Sequence, residues 1–377
     1  MISKKNLYDY TLILIAIGLT AIGFIMVISA SMPIGQRLME DPFYFAKRDI
    51  LYIIFAFILS LIVIQISITT WEKYNFILLV ISIVMLTIVL FTGNSINGAS
   101  RWINIGIIKI QPSEFSKLAL FCYISSYLNR NSNKIKIHFL NFIKPIYILI
   151  IMSVLLLLQP DFGAVIILIV TTFGILFLAG TRLTPFFIGI VMNIIFILGL
   201  IWFKPYRWRR ITSFLNPWED PFGSGYQLTQ SLMAFGRGDI FGQGLGNSIQ
   251  KLEFLPEAHT DFIFSILAEE LGFIGVTFVL FMIFSLTYKA IKIGQNALTT
   301  NNLFSGYLAC SIGIWFIFQS LLNIGGVSGI LPTKGLTMPL ISYGGSSLLV
   351  MSTAISLLLR IDFETRIKKK TGFNKEL

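Results

Sequence analysis

Asp261 stands where a chemical group would be placed with purpose, in Pro256-Glu-Ala-His259-Thr-Asp261-Phe262 at the lip of a long apolar run. Partial desolvation at such a lip makes a carboxylate a better proton acceptor. A helix N-cap made by Thr260 or Asp261 explains the same pattern. His259 and Glu257 lie close by, but His-x-Asp is not a zinc spacing.

A second polar group reads Asn97-Gly-Ala-Ser-Arg101-Trp102, then Gln111-Pro-Ser-Glu114, then Lys117. Arg101 offers a guanidinium fork suited to an anionic head group, or it anchors the chain by snorkelling to a membrane surface. Glu114 and Lys117 are three residues apart on one helix face and can pair. That pair serves either a site or the structure at a membrane edge. A third group runs from Ser328 through Pro332, Lys334 and Pro339 to Ser342-Tyr-Gly-Gly-Ser346. Its Gly/Pro-broken backbone is tolerated at membrane depth only where it lines protein or a wet cavity. Lys334 would then be a second cation for a phosphate.

Other polar residues are weaker candidates. Glu269 and Glu270 lie about 12–14 Å deeper along the helix that follows Asp261, so they must be paired or line a cavity. Asp161, in Gln159-Pro-Asp-Phe-Gly163, is explained by turn chemistry. Gly242-Gln-Gly-Leu-Gly246 lacks the context of a nucleotide loop, and Arg237-Gly-Asp239 carries no adhesive meaning. Cys122 and Cys310 fall in apolar runs and read as packing residues.

These groups must be positioned by helices in a bilayer. The 377 residues are 55% hydrophobic and 12% charged, too little polar surface for a soluble protein of this length. The apolar residues come in blocks of spanning length, which excludes a barrel of alternating strands. The expectation is an all-α polytopic membrane protein of about ten transmembrane helices. The spans are Tyr10–Ala30, Ile50–Ile66, Tyr74–Phe91, Phe115–Leu128, Ile143–Leu158, Ala164–Ala179, Pro185–Phe203, Phe262–Tyr288, Phe304–Ile324 and Leu336–Leu359. The first is read as a signal anchor and not a cleaved leader.

With an even count both termini share a side. The basic Arg130–Lys144 loop and the basic tail with Arg366 and Lys368–Lys370 make that side cytoplasmic. The net charge of +11 sits largely beside helices, so it points to topology and anionic lipid and not to nucleic acid. The whole chain, 1–377, reads as one integral membrane domain, with a large outer loop at 204–261 and a basic tail at 361–377. A loop of that length is usually functional; its aromatic and glycine content predicts order, with a short amphipathic helix over Gln227–Phe235.

Six segments together resemble the SEDS family of polytopic cell-wall proteins, and its division branch ahead of its elongation branch. They are Gly98-Ala-Ser-Arg-Trp102, Gln111-Pro-Ser-Glu114, Asn216-Pro-Trp-Glu-Asp-Pro through Ser231, Gly236-Arg-Gly through Asn247, Leu255-Pro-Glu-Ala-His-Thr-Asp-Phe262, and Leu331-Pro-Thr-Lys-Gly335 with Ser342-Tyr-Gly-Gly-Ser346. The N-terminal tail is shorter than division members often carry.

The resemblance implies a peptidoglycan glycosyltransferase that polymerises lipid II on the outer face of the bacterial cytoplasmic membrane, at the septum. Asp261 matches the family's catalytic aspartate, and Arg101, Lys117 and Lys334 match its conserved cavity positions. Glu114, Trp102 and His259, in the same motifs, are expected to contact substrate. No cofactor is required by this reading, and a divalent cation stays an open option. The partners implied are lipid II, membrane lipids, a class B penicillin-binding transpeptidase and other division proteins. A lipid II flippase, a non-catalytic scaffold and an elongation-type polymerase are the competing readings.

Overall fold

The structure is a computed structural model, and it describes residues 8–92, 95–96, 99–105, 108–132, 134–135, 139–181, 184, 186–189, 191, 214–333 and 335–373. Ten helices have both ends among them: α1 (Tyr10–Met39), α2 (Tyr44–Gln65), α3 (Ile68–Thr92), α4 (Pro112–Asn131), α5 (Phe139–Leu158), α6 (Phe162–Leu178), α7 (Tyr226–Gly238), α8 (Ile263–Thr299), α9 (Leu303–Val327) and α10 (Gly345–Phe373), and residues 184, 186–189 and 191 are helical as well. Seven of these (α1, α2, α3, α5, α8, α9 and α10) are long and apolar enough to cross a membrane. This is a multi-pass, all-helical membrane protein.

Nine of the ten expected spans meet one of the helices α1 to α6 and α8 to α10. The seventh, Pro185–Phe203, lies for the most part outside the described residues, so the count of ten rests on it. Two elements differ from expectation. The last helix begins at Gly345 and not at Leu336, because 335–344 is an irregular run of turns. The link between α3 and α4 also holds two small antiparallel hairpins, β1 (Ser95–Ile96) with β2 (Ala99–Ser100) and β3 (Ile103–Ile105) with β4 (Ile108–Ile110).

Burial sorts the helices into a centre and a rim. α9 and α10 are largely buried over their apolar stretches, whereas α1, α2, α3 and α8 leave most of theirs half-buried or exposed. In water such exposure would be costly; against acyl chains it is the expected outer surface. α4 is the central oddity. Its polar Ser113, Glu114, Ser116, Lys117, Ser125 and Ser126 are all buried. Pro112 starts it at a position where the missing N–H costs nothing.

The expected continuous eighth span is a broken helix. Gly272 interrupts α8 with φ 64° and ψ −166°. In an unbroken helix the amides of Phe273 and Ile274 would bond to the carbonyls of Glu269 and Glu270. Here Phe273 and Ile274 donate to Asp239 and Ile240 (2.9 and 3.2 Å), while Gln243 and Gly244 donate to Glu269 and Glu270 (2.9 and 3.0 Å). The segment 239–244 is thus stitched into the gap and every diverted group is satisfied. A β-carbon on Gly242 would meet the Glu270 carbonyl at 2.2 Å, and one on Gly272 the Gly242 nitrogen at 2.3 Å. The glycine-rich run is explained by this close approach. α8 therefore has a buried first part, Ile263–Leu271, and a longer part from Phe273 onward.

Glu269 and Glu270 hold the stitch and do not line the candidate site. Glu269 accepts from Ser248 Oγ, Ile249 N (3.0 Å) and Gln250 N (3.3 Å), with Arg237 Nη1 at 3.5 Å. Glu270 Oε1 accepts from Lys251 Nζ (2.7 Å) and Ser29 Oγ (2.6 Å). Charges this deep persist because each is paired. The expected helix at 227–235 is present as α7, Tyr226–Gly238, and residues 361–373 continue α10.

Candidate active site

Several elements meet around one cavity of about 500 Å³. They are the α2 start, the β-hairpin link with the start of α4, the start of α6, the 214–262 segment, and the irregular run 335–344 with the start of α10. Arg101, Trp102, Glu114, Asp161, Glu257 and Asp261 are among the groups on its wall. Hence carboxylates and a guanidinium share a hollow inside an otherwise apolar bundle, where Coulomb interactions are strong.

Asp261 is half-buried two residues before α8. The N-cap position falls on Phe262, with no side-chain cap bond. The Thr260 hydroxyl turns instead to Glu257 Oε2 at 2.7 Å. Thr260 therefore does not serve as the helix cap.

Arg101 leaves the hairpins with its guanidinium held at the end of α5. Its Nε donates to the Gln159 carbonyl at 3.2 Å and its Nη2 to the Pro160 carbonyl. Carbonyls at a helix C-terminus are natural partners for a cation. Gln159 is itself fixed, its Nε2 donating to the Leu86 carbonyl at 2.8 Å. Asp161 caps the next helix, accepting from Ala164 N at 3.2 Å, which accounts for it in the way turn chemistry suggested.

The two groups converge at Gly335. A β-carbon there would lie 2.9 Å from Asp261 Oδ2 and 3.9 Å from Arg101 Nη1. A glycine leaves that space open for something else.

The run 335–344 has no regular ladder, so side chains hold it. Asn323 Nδ2 donates to the carbonyls of Asp261 (2.9 Å) and Leu336 (2.6 Å). One turn earlier on α9, Gln319 Nε2 donates to the Thr337 carbonyl at 2.8 Å. Ser342 Oγ accepts from Met338 N (2.8 Å), and the Thr337 and Ser347 hydroxyls bond at 2.9 Å. Ser346 Oγ ties the run to the hairpin, accepting from Gln111 N and donating to the Lys109 carbonyl, both at 2.9 Å.

With this geometry in view, the comparisons with known proteins decide the family. Residues 9–367 match the model of the cell cycle protein family that groups FtsW, RodA and SpoVE. The chain belongs to that family.

Among its relatives is a probable peptidoglycan glycosyltransferase FtsW of Escherichia coli O6:H1, 59% identical over 97% of this chain and 89% of that one. Another, of Moranella endobia, carries the same name and is 56% identical over 97% of both chains. Among solved structures, a chain of a peptidoglycan synthase complex, described for its structural coordination of polymerization and crosslinking, superposes with a TM-score of 0.78. It is 25% identical, over 95% of this chain and 98% of that one. The rod shape determining protein RodA of Thermus thermophilus gives 0.70 at 24% identity over 94% and 96%.

Within this FtsW/RodA/SpoVE framework the residues singled out by sequence divide into three sets. Asp261, Arg101, Trp102 and Glu114 reach the cavity. Lys117 and His259 do not line it. Lys117 is fully buried beneath Glu114, with its ammonium 2.9 Å from Glu114 Oε1, 2.9 Å from Gln319 Oε1 and 5.1 Å from the Trp315 ring centre. His259 is buried between the rings of Phe45 (4.7 Å) and Tyr343 (5.6 Å), and its carbonyl accepts from Tyr343 N at 3.1 Å. Burial holds its imidazole below the ordinary histidine range, against the opposing pull of Glu257. Lys334 lies outside the described residues.

Sequence reasoning missed Gln319, Asn323 and Arg48. Arg48 lies on the cavity wall, bonded to the Tyr44 hydroxyl at 3.0 Å. The signal for the first two was an amide pair four residues apart inside an apolar span, a costly placement that demands buried partners. Among the described residues no three His, Cys, Asp or Glu side chains gather within reach of one metal ion.

Proposed function

We propose that this chain is the septal peptidoglycan glycosyltransferase of its bacterium, joining lipid II units into glycan strands on the outer face of the cytoplasmic membrane. The observation that carries the reading is the approach of Asp261 and Arg101 to one open point at Gly335. The names borne by relatives at 56–59% identity support the reaction class.

Asp261 acts as general base, taking the proton from the 4-hydroxyl of the acceptor sugar. That oxygen attacks the anomeric carbon of the growing strand. The bond to undecaprenyl pyrophosphate breaks with inversion, and the leaving oxygen keeps the electron pair. Arg101, with Lys334, stabilises the charge that grows on the pyrophosphate. Trp102 and Glu114, on the cavity wall, contact the sugars, and His259 and Lys117 support the walls from behind. A lipid-linked donor suits a site inside a bundle, since the prenyl chain stays among lipids while the head group enters the cavity.

In this reading both termini are cytoplasmic and the cavity opens outward. The partner is a class B penicillin-binding transpeptidase. The likeness to a chain from a complex of polymerization and crosslinking supports it.

The test is polymerisation of purified lipid II by the purified chain, with and without that transpeptidase. Asp261→Asn is expected to insert and fold normally yet make no polymer; product at the wild-type level would overturn the base assignment. The break in α8 also suits a lipid II flippase, whose substrate sites are built from discontinuous helices. Translocation of fluorescent lipid II in liposomes without chain growth would replace the polymerase reading with that one.

A further inference from the structure

We propose that the segment stitched into α8 is also a bilayer anchor: Ile240, Phe241 and Leu245 insert among the acyl chains of the leaflet on the Asp261 side. Three observations carry this. The first is register. Because Phe273 and Ile274 donate to Asp239 and Ile240, the apolar tip of the segment lies directly beside the first turn of the longer part of α8. That part displays Phe273, Ile274, Phe278 and Phe281 on the molecular surface, and this is a helix of spanning length and composition. Phe241 is 80% exposed and Ile240 53%, against 66% for Phe273 and 53% for Ile274. The segment widens a surface that already faces lipid.

The second is depth. The charged end of this span is marked by Lys289 and Lys292. From Lys289 back to Phe273 the helix rises about 24 Å at 1.5 Å per residue. The hydrocarbon core is about 30 Å thick. Phe273 therefore falls within the apolar layer or at its edge, and the segment hydrogen-bonded beside it shares that level.

The third is polar satisfaction. A loop can meet lipid only if its backbone groups are paired. Gly242 N donates to the Gly238 carbonyl at 2.8 Å, Gln243 and Gly244 donate into α8, and the carbonyls of Asp239 and Ile240 accept from it. Of the charges nearby, Glu269 and Glu270 are fully buried with Arg237 and Lys251 as partners, while the exposed Asp239 marks the head-group edge of the segment. The anchor thus fixes the depth of the half-helix Ile263–Leu271, whose N-terminal end adjoins Asp261.

The experiment places a nitroxide on Phe241→Cys in the full chain, in nanodiscs of phosphatidylethanolamine and phosphatidylglycerol. The native Cys122 and Cys310 are buried and do not compete for label. Collision with oxygen, which concentrates in lipid, is compared with collision with a water-soluble nickel chelate. Phe278→Cys marks lipid and Glu253→Cys marks water. The expected result is an oxygen-to-nickel ratio at 241 matching that at 278 and severalfold above that at 253. A ratio matching 253 would overturn the proposal. So would shielding from both reagents, which would mean that a second protein copy covers the patch. Ile240→Cys is the second labelling position, with the same expectations, should Phe241→Cys fail to insert.

Discussion

Asn323 donates its side-chain amide to the backbone carbonyl of Asp261 at 2.9 Å, and the same nitrogen reaches the Leu336 carbonyl at 2.6 Å. One buried amide therefore sets the spacing between the proposed base and the run that carries Gly335. Asn323→Leu fills similar volume but supplies no donor, leaving two carbonyls without it. Each lost buried bond costs about 1–3 kcal/mol, and a shift near 1 Å at a reacting centre can lower a rate about 100-fold. The expected outcome is a chain that inserts normally and polymerises lipid II about 10- to 100-fold more slowly. The loss falls in kcat more than in KM, because Asn323 stands behind the cavity wall and not on it. Steady-state kinetics in one detergent check it; an unchanged kcat would show that the carbonyls are held without the amide.

Lys117 is the next case, since its ammonium bridges Glu114 and Gln319 with no exposure to solvent. Lys117→Met removes the cation and strands a buried carboxylate. Breaking such a pair from one side costs about 3–5 kcal/mol. Neutralising the other side as well, in Lys117→Met with Glu114→Gln, should recover a large part of that loss, since the uncompensated charge is gone. Thermal unfolding of the two single variants and the double variant in one detergent closes the cycle. Simple additivity would show that the two residues do not act as a pair.

How far the sequence speaks is clear from the same residues. Hydrophobic runs of spanning length located nine helices, because a bilayer demands apolar length and little else. Asp261, Arg101 and Glu114 were legible as charged residues beside apolar runs, although a cap, an anchor and a structural ion pair explained each of them equally well. The break at Gly272 was not, since a glycine inside an apolar run is common and the groups that fill the gap come from 28 to 33 residues earlier in the chain. Leu336 read as the start of a span because 336–344 is itself apolar; its turns are held by Gln319 and Asn323, and no local pattern reports a distant donor. Lys117 had the right partner at the right spacing, but pairing alone does not say whether a cation faces a cavity or the core behind it.

Gly335 gives a steric test of the open point. In Gly335→Ala the added methyl would sit 2.9 Å from Asp261 Oδ2, so the carboxylate must move or the backbone must yield. The expected result is near-normal stability, with a change in melting temperature of a few degrees at most, and a loss of polymerisation of at least about 10-fold, since a 1 Å displacement is enough for that. Membrane insertion and thermal melting provide the controls. Full activity in Gly335→Ala would place the reacting atoms away from this point.

His259 makes stability depend on pH with a definite sign. Burial between Phe45 and Tyr343 lowers its affinity for a proton in the folded state, Glu257 opposing but not cancelling this. The unfolded chain titrates near the ordinary value of about 6.5. Below that value the unfolded state binds a proton that the folded state refuses, so acidification favours unfolding until the folded pKa is passed. The contribution is therefore fully present above about pH 6.5 and is lost as pH falls through the folded value. Melting temperatures from pH 7.5 down to 5 should fall more steeply for the natural chain than for His259→Phe, which keeps a ring between its two neighbours but cannot titrate. The two profiles should meet in shape above about pH 7. Parallel profiles throughout the range would mean that the imidazole is free to take up its proton in the folded protein.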